Sequence, residues 1–453
     1  MAQNKLPIVV LISGGGRTLK NIFNRVDAGT LDVDVKLVVA SKPDAGGLKY
    51  AEERGVPTEV VQLSDFADEK EFSERIFRTC NLYFAGSNGY VVLAGFLKKL
   101  VIPDAYVNRV VNIHPSLIPS FCGDKMYGER VHKAAIQKGV KISGCTVHFA
   151  NNEYDDGPII LQKWVPVLES DTPHDLADRV LYEAEFDAFP EALQLLAEGR
   201  VEVVDGCAKI KPSADSDAST SVRATSCDDP VPRRKKSATP RKRKSIAVLM
   251  SRTGRTLKNL LEAIEDGRLD VDIRLVVSSS STAAGLQYAE AARIPIAIVE
   301  SGDKTDEEFS RAIFTQCRAR NVDYVVMAGY LKRLKIPEDF EYRVVNIHPS
   351  LAPAFSEKRL FGRLVHAEAI KKGVKISGCT VHYVDLDPEK FGPIIWQRAV
   401  PVKEDYDVDK LSDAVLYDAE FLAYPEALQL LAEDRVEIKR LESGDLIAKI
   451  KDA

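Results

Sequence analysis

The chain is written twice. From Ser13 it reads SGGGRTLKNIFNRVDAGTLDVDVKLVV, and from Ser251 it reads SRTGRTLKNLLEAIEDGRLDVDIRLVV. VVNIHPSLIP (Val110 to Pro119) returns as VVNIHPSLAP (Val344 to Pro353), and GVKISGCTVHF (Gly139 to Phe149) as GVKISGCTVHY (Gly373 to Tyr383). The offset is 238 at Ser13, 237 at Phe72, 234 at Asn112 and 235 at Pro158. Solenoid units repeat every ~20–50 residues, so a period this long is a whole domain duplicated and fused. The 453 residues divide into a first domain over 1–210, a linker over 211–245 and a second domain over 246–453. The largest mismatch between copies, NLYFAGSNG at Asn81 to Gly89, reads as a loop shortly before a strand, where it would bear on cofactor access.

Within each copy short Val/Ile-rich stretches alternate with helical patterns. In the first, strands are expected at Ile8 to Ser13, Val35 to Ala40, Thr58 to Gln62, Tyr90 to Ala94 and Arg109 to Ile113. Helices are expected at Thr18 to Asp27, Gly47 to Arg54 and Glu69 to Thr79. Strands without polar alternation are strands buried on both faces, and alternating β and α means a parallel sheet covered by helices. The fold class is thus α/β: two tandem doubly wound, Rossmann-like domains with mostly parallel sheets. Ligands of such folds bind beyond the carboxyl ends of the strands, where Ser13 to Gly16 and Asn112 to His114 fall.

Composition narrows the function. Sixty-two basic against 67 acidic residues leave a net charge of -5, so there is no global basic field for nucleic acid. No apolar run approaches the ~20 residues of a membrane span. The N-terminus lacks the long apolar core of a signal peptide, and the seven cysteines are dispersed without CxxC pairs. The expectation is a cytoplasmic protein with reduced thiols and no metal site. Residues 233–244 are basic, but a solvated, self-repelling linker is favoured there over a nucleic-acid tether.

The chemistry-bearing residues cluster in the first copy. Gly14, Gly15 and Gly16 followed by Arg17 and Thr18 open a helix, where backbone N–H groups can approach an anion. In the second copy the loop is Ser251-Arg252-Thr253-Gly254, with two glycines lost. Of seven histidines, six pair across the repeat: His114 with His348, His132 with His366, His148 with His382; only His174 stands alone. Asn112 and His114, two apart on a strand, face the same way. An amide and an imidazole at a strand end can polarise a carbonyl and hold its oxyanion. Asp155, placed beside His114, would fix its tautomer and raise its pKa. No serine or cysteine sits in a nucleophile motif, which favours direct transfer.

With NIHPSL at Asn112 to Leu117, TVHF, and YDDGP at Tyr154 to Pro158, the sequence resembles the folate-dependent formyltransferases over about residues 7 to 205 and again 245 to 440. The resemblance is greatest to the branch acting on glycinamide ribonucleotide in purine synthesis. It implies attack of the glycinamide amine on the formyl group of 10-formyltetrahydrofolate, the co-substrate. The family's catalytic Asn, His and Asp fall on Asn112, His114 and Asp155, and its phosphate loop on Gly14 to Thr18. Its acid near the substrate amine falls on Glu185, and its pterin pocket on Leu93, Ala94, Gly95, Phe96, Leu97, Val147 and His148. The second copy keeps Asn346, His348, His382 and Glu420, but counting from His382 or Pro393 brings Glu389 or Lys390 to the place of the aspartate. The resemblance therefore implies a weak or inactive second site, its domain retained to dock on the first, whether within one chain or in a homodimer. The alternatives are a sugar-nucleotide formyltransferase, a formyltetrahydrofolate hydrolase and, in another class, a non-catalytic folate- or nucleotide-binding scaffold.

Overall fold

The computed structural model describes residues 5–212, 242–330, 332–357, 360–387 and 390–451. The first half runs β1 (Leu6–Ile12), α1 (Arg17–Asp27), β2 (Val33–Ala40), α2 (Leu48–Glu52), β3 (Thr58–Val60), α3 (Glu69–Phe84), β4 (Tyr90–Leu93) and β5 (Val110–His114). It continues with α4 (Glu129–Lys138), β6 (Ile142–Phe149), β7 (Ile159–Pro166), α5 (Pro173–Arg179), α6 (Phe186–Ala197), β8 (Val201–Val204) and β9 (Cys207–Ile210). The sheet order is β3-β2-β1-β4-β5-β6-β7. β1 to β5 pair in parallel, and β6 and β7 close one edge antiparallel. Because β1 lies between β2 and β4, the crossovers diverge there and open a crevice at the strands' carboxyl ends.

The second half repeats this plan. β10 (Lys244–Met250), α7 (Arg255–Glu265), β11 (Val271–Ser278), α8 (Leu286–Ala291), β12 (Ile296–Ile298), α9 (Asp306–Ala319), β13 (Tyr324–Met327) and β14 (Val344–His348) come first. Then follow α10 (Arg363–Lys372), β15 (Ile376–Val384), β16 (Phe391–Pro401), α11 (Val408–Ala414), α12 (Phe421–Ala432), β17 (Val436–Arg440) and β18 (Leu446–Ile450). Its sheet has the same order.

Two expectations are corrected. Asn81 to Phe84 form the last turn of α3 rather than a loop, and the chain leaves the helix only at Ala85, in the left-handed conformation. The apolar spacing of Phe72, Ile76, Phe77, Cys80 and Phe84, all buried, carries the helix that far. The remaining loop precedes β4, at the end of the sheet away from the crevice, so it cannot gate a ligand there. The end of the expected linker is also structured. Lys244 and Ser245 belong to β10, where Lys244 pairs with Asp434 at 2.8 Å and Ser245 N–H donates to Asp323. The rest of the expected linker from residue 213 to 241 lies outside the described residues.

The halves share an interior. Ala352 and Ile394 of the second half belong to the first half's core, and Ile118 and Ile159 of the first to the second's. Two glutamines join the edges. Gln162 Oε1 accepts from the N–H groups of Lys375 (2.9 Å) and Ile376 (3.2 Å), and Gln397 Oε1 accepts from Lys141 N–H (2.8 Å). Lys141 Nζ reaches Glu169 and the Ala448 carbonyl, and Lys375 Nζ reaches Glu404 and the Ala208 carbonyl. Burial lowers the pKa of both lysines against the pull of their glutamates. The same set of bonds, some within a half and some across it, recurs on both sides of an approximate twofold, so these buried polar atoms are paired as an interior seam requires. Among the described residues no helix is long and apolar enough to cross a membrane.

Candidate active site

A cleft of about 610 Å³ opens at the carboxyl ends of β1, β4 and β5. Its one wall is the glycine loop. Gly16 has φ 70°, and a Cβ there would lie 2.4 Å from Gly47 Cα, so only glycine lets the two backbones meet. Gly14 and Gly15 are exposed, with nothing within 4 Å of a notional Cβ, which leaves room for a ligand. No side chain caps α1, so its first N–H groups face the cleft without a competitor. Ser13 Oγ accepts from Leu97 N–H at 2.9 Å and Ser13 N–H donates to Gly95, which ties this loop to the opposite wall, Leu93 to Leu97.

The floor is β5 and β6. Asn112 and His114 project together from β5, opposite His148 and Thr146 of β6. His148 Nδ1 donates to the Phe149 carbonyl at 2.9 Å, leaving Nε2 to accept from Asn112 Nδ2 at 3.1 Å. That bond fixes the amide and leaves its second N–H for another acceptor. His114, 4% exposed, donates from Nε2 to the Phe121 carbonyl at 2.9 Å, and its Nδ1 stands 3.4 Å from Asp155 Oδ2. Both ring nitrogens thus face acceptors, which suits the imidazolium. Burial acts the other way and wins: it holds the His114 pKa below the usual histidine value, against the raising influence of Asp155. The expected rise is therefore corrected; desolvation of a fully enclosed ring exceeds the attraction of one carboxylate.

Asp155 comes from the hairpin between β6 and β7. Gly157 makes that turn possible, since a Cβ there would lie 1.8 Å from the Phe149 carbonyl oxygen. Asp155 itself has φ 54° and accepts from Gly123 N–H at 3.0 Å. Burial raises its pKa, but His148, His114 and the Gly123 N–H outweigh it and keep the carboxylate ionised below its normal range. Glu185 ends a π-helical segment, Val180–Glu185, between α5 and α6. Such segments recur where a side chain must be turned to a site. Burial pushes the Glu185 pKa up to about 7, with Arg17 opposing.

Of the residues expected at the site, Gly14 to Thr18, Leu93 to Leu97, Asn112, His114, His148, Asp155 and Glu185 all line the cleft. Val147 does not. It packs in the core, because neighbours on a strand face opposite sides of the sheet. Sequence reasoning missed the Gly123 to Glu129 segment and assigned no role to His132, which also line the cleft. His132 Nδ1 is buried without a hydrogen-bond partner, and burial drives its pKa down to about 4. Its pairing with His366 in the repeat was the available signal.

The sequence of residues 6–193, and again of 244–428, matches the family model described as formyl transferase. The chain belongs to the formyl transferase family. Over 202 residues it is 40% identical to the trifunctional purine biosynthetic protein adenosine-3 of Gallus gallus, covering 44% of this chain and 19% of that protein. It is 37% identical to the chloroplastic phosphoribosylglycinamide formyltransferase of Arabidopsis thaliana, covering 43% and 66%. It is 34% identical to the phosphoribosylglycinamide formyltransferase of Escherichia coli strain K12, covering 44% and 92%. The chain thus spans about a fifth of the chicken protein and just under two thirds of the plant one.

The second half of this formyl transferase chain keeps the floor and differs in the residues that face it. Asn346 Nδ2 lies 3.4 Å from His382 Nε2, and His348 Nε2 donates to the Phe355 carbonyl at 2.9 Å. Gly254 and Gly285 repeat the close approach of Gly16 and Gly47. Gly392, where a Cβ would lie 2.1 Å from the Tyr383 carbonyl, sets the hairpin register as Gly157 does. In that register Lys390 stands for Asp155 and Phe391 for Asp156. Lys390 is exposed and lies 3.8 Å from Asp387. Phe391 stacks on His382 at 3.9 Å and meets His348 edge-on at 5.9 Å. An aromatic ring therefore lies against both histidines, where the first half has a carboxylate. Glu389 lies outside the described residues.

Proposed function

We propose that the first half, residues 1–210, transfers the formyl group of 10-formyltetrahydrofolate to the amine of glycinamide ribonucleotide, and that 246–453 is a catalytically silent half. The observation that carries this is the gathering of Asn112, His114 and Asp155 on the floor of one cleft, between a glycine loop and the Leu93 to Leu97 wall. The names of the relatives point to the same substrate. Gly14 to Gly16 and the start of α1 suit the ribose phosphate, with Arg17 and Thr18 beside them. The Leu93 to Leu97 wall and His148 suit the folate.

In this reading the amine attacks the formyl carbon and a tetrahedral oxyanion forms. The free N–H of Asn112 donates to it, and His114, whose two ring nitrogens face the Phe121 carbonyl and Asp155, acts on it through the positive charge of its imidazolium. His114 is neutral at rest, because burial disfavours its charge. The oxyanion's negative charge draws a solvent proton onto the ring, which gives it back when the tetrahedral intermediate collapses, and Asp155 stabilises the imidazolium meanwhile from 3.4 Å. The bond from the formyl carbon to the folate nitrogen then breaks. The amine's proton leaves and the folate nitrogen gains one, so the reaction is neutral in protons. Glu185, poised near neutrality, is suited to receive the amine's proton.

The test is formyl transfer from 10-formyltetrahydrofolate to glycinamide ribonucleotide by the full chain, by His114→Ala and by His348→Ala. His114→Ala is expected to lose ~10²–10³ in rate, and His348→Ala nothing. Half the activity surviving in His114→Ala would mean two working sites. No transfer by the unmodified chain would sink the assignment of the acceptor.

A further inference from the structure

Each helix that ends nearest the seam carries a lysine to the other half's hairpin. α4 ends in Lys138 and α10 in Lys372, equivalent positions of the repeat. Lys372 Nζ donates to the Asp156 carbonyl oxygen at 3.2 Å and to its carboxylate at 2.5 Å. Lys138 Nζ lies 6.0 Å from the ring centre of Phe391, the residue that stands for Asp156. The two contacts match in place and differ in chemistry. On one side a cation grips a polar loop; on the other it rests near an aromatic ring.

The carboxylate of Asp156 is 62% exposed, so that part of the pair is screened and weak. The bond to the main chain is different. It fixes the Asp156–Gly157 peptide, one residue beyond Asp155, and Asp155 sits in the left-handed backbone region, which a residue with a side chain occupies only when its surroundings hold it there. Gly123 N–H holds the Asp155 side chain from within the first half. Lys372, itself 24% exposed, holds the adjoining backbone from the second.

We propose that Lys372 is a positioning residue supplied by the silent half: it fixes the Asp156 carbonyl and so keeps the Asp155 carboxylate in register with His114. This rests on the reading of His114 and Asp155 as the reaction centre. The glycine loop and Arg17, which serve substrate binding in that reading, do not touch Lys372, so its loss should act on turnover.

The experiment is steady-state kinetics on the full-length chain carrying Lys372→Met, Lys372→Arg, Lys138→Met or His114→Ala, with melting temperatures measured alongside. Misplacement of a reacting group by about 1 Å costs up to ~10²-fold, so Lys372→Met is expected to lower kcat ~10-fold with KM for glycinamide ribonucleotide within ~2-fold. Lys372→Arg keeps a cation and donors and should stay within ~3-fold of the unmodified kcat. Lys138→Met, the same truncation on the silent side, should leave kcat within ~2-fold. Unchanged kcat in Lys372→Met beside a dead His114→Ala would overturn the role of the lysine and leave the reaction centre standing. Equal losses of kcat and melting temperature in Lys372→Met and Lys138→Met would overturn it too, reducing both residues to interface packing. An active His114→Ala would overturn the reading beneath it.

Discussion

Glu185 offers a measurement in which stability and activity move in opposite directions. Burial raises its pKa from 4.5 to about 7. Between those values the folded chain binds the proton more tightly than the unfolded chain, so stability is greatest below pH 4.5 and is lost as pH rises through about 7. At about 1.4 kcal/mol per pKa unit the full loss is ~3 kcal/mol, and about half that once the partial exposure of the side chain is allowed for. Glu185→Gln keeps the shape and has no charge to bury. The variant should match the unmodified protein near pH 4.5 and melt ~1–2 °C higher at about pH 8.5, the halves unfolding as one unit. Formyl transfer should nevertheless fall by ~10²-fold, the usual worth of a positioned proton acceptor. The repeat provides the control: Glu420, at the equivalent place, is raised to about 7 by the same burial, with Arg255 opposing. Glu420→Gln should give the same gain at high pH with activity untouched. Thermal melts across that pH range, paired with rates, decide the matter. A stability difference independent of pH would show that neither glutamate is held near neutrality, and the argument would fail.

Three further outcomes follow from the geometry. Asp155→Asn removes the charge that steadies the His114 imidazolium and should cost ~10²–10³ in kcat with the fold intact, read by steady-state rates and circular dichroism. Gln162→Leu strands the N–H groups of Lys375 and Ile376 inside the seam and should cost about 2–3 kcal/mol in denaturant unfolding. Gly16→Ala drives a Cβ to 2.4 Å from Gly47 at φ 70° and should lower the melting temperature, whereas Gly14→Ala meets nothing and should raise only the KM for the phosphorylated substrate.

The parts of the fold that follow from local pattern were legible in the sequence. The repeat, the buried strands and their alternation with helices lead straight to a doubly wound sheet, because a parallel strand must be apolar on both faces. Asn112 and His114 stood out for the same local reason, two residues apart at a strand end. What eluded the sequence depends on distant packing. The direction of the His114 pKa is set by burial that other elements provide. The sequence marks Asp155 as the acid beside His114, but not the hairpin that brings it there, whose register Gly157 fixes through a close contact with Phe149. The same contact at Gly392 brings Lys390 to the place of Asp155 by register, yet it is the ring of Phe391 that lies against His382 and His348. Counting along the chain could not weigh a turn that the two strands shape together.

The two halves differ in the residues of their clefts and agree in those of their seam. Gln162 and Gln397, and Lys141 and Lys375, do the same work on both sides, whereas Gly14, Gly15, Asp155 and Asp156 have become Arg252, Thr253, Lys390 and Phe391. The physics of the two kinds of residue explains the difference. A second reaction centre adds to a first without being needed by it, so its loss leaves the other cleft whole. A seam has no such redundancy. Gln162 serves amides that belong to the second half, and Gln397 serves one that belongs to the first, so a change on either side strands buried groups on the other. The cores impose the same condition, since Ile118 and Ile159 fill the second half's interior and Ala352 and Ile394 the first's. A chain organised this way can lose one active site at little cost to its stability, but it cannot discard the half that carried it. In the proposed reading the first cleft then draws on that half, through the reach of Lys372 to Asp156.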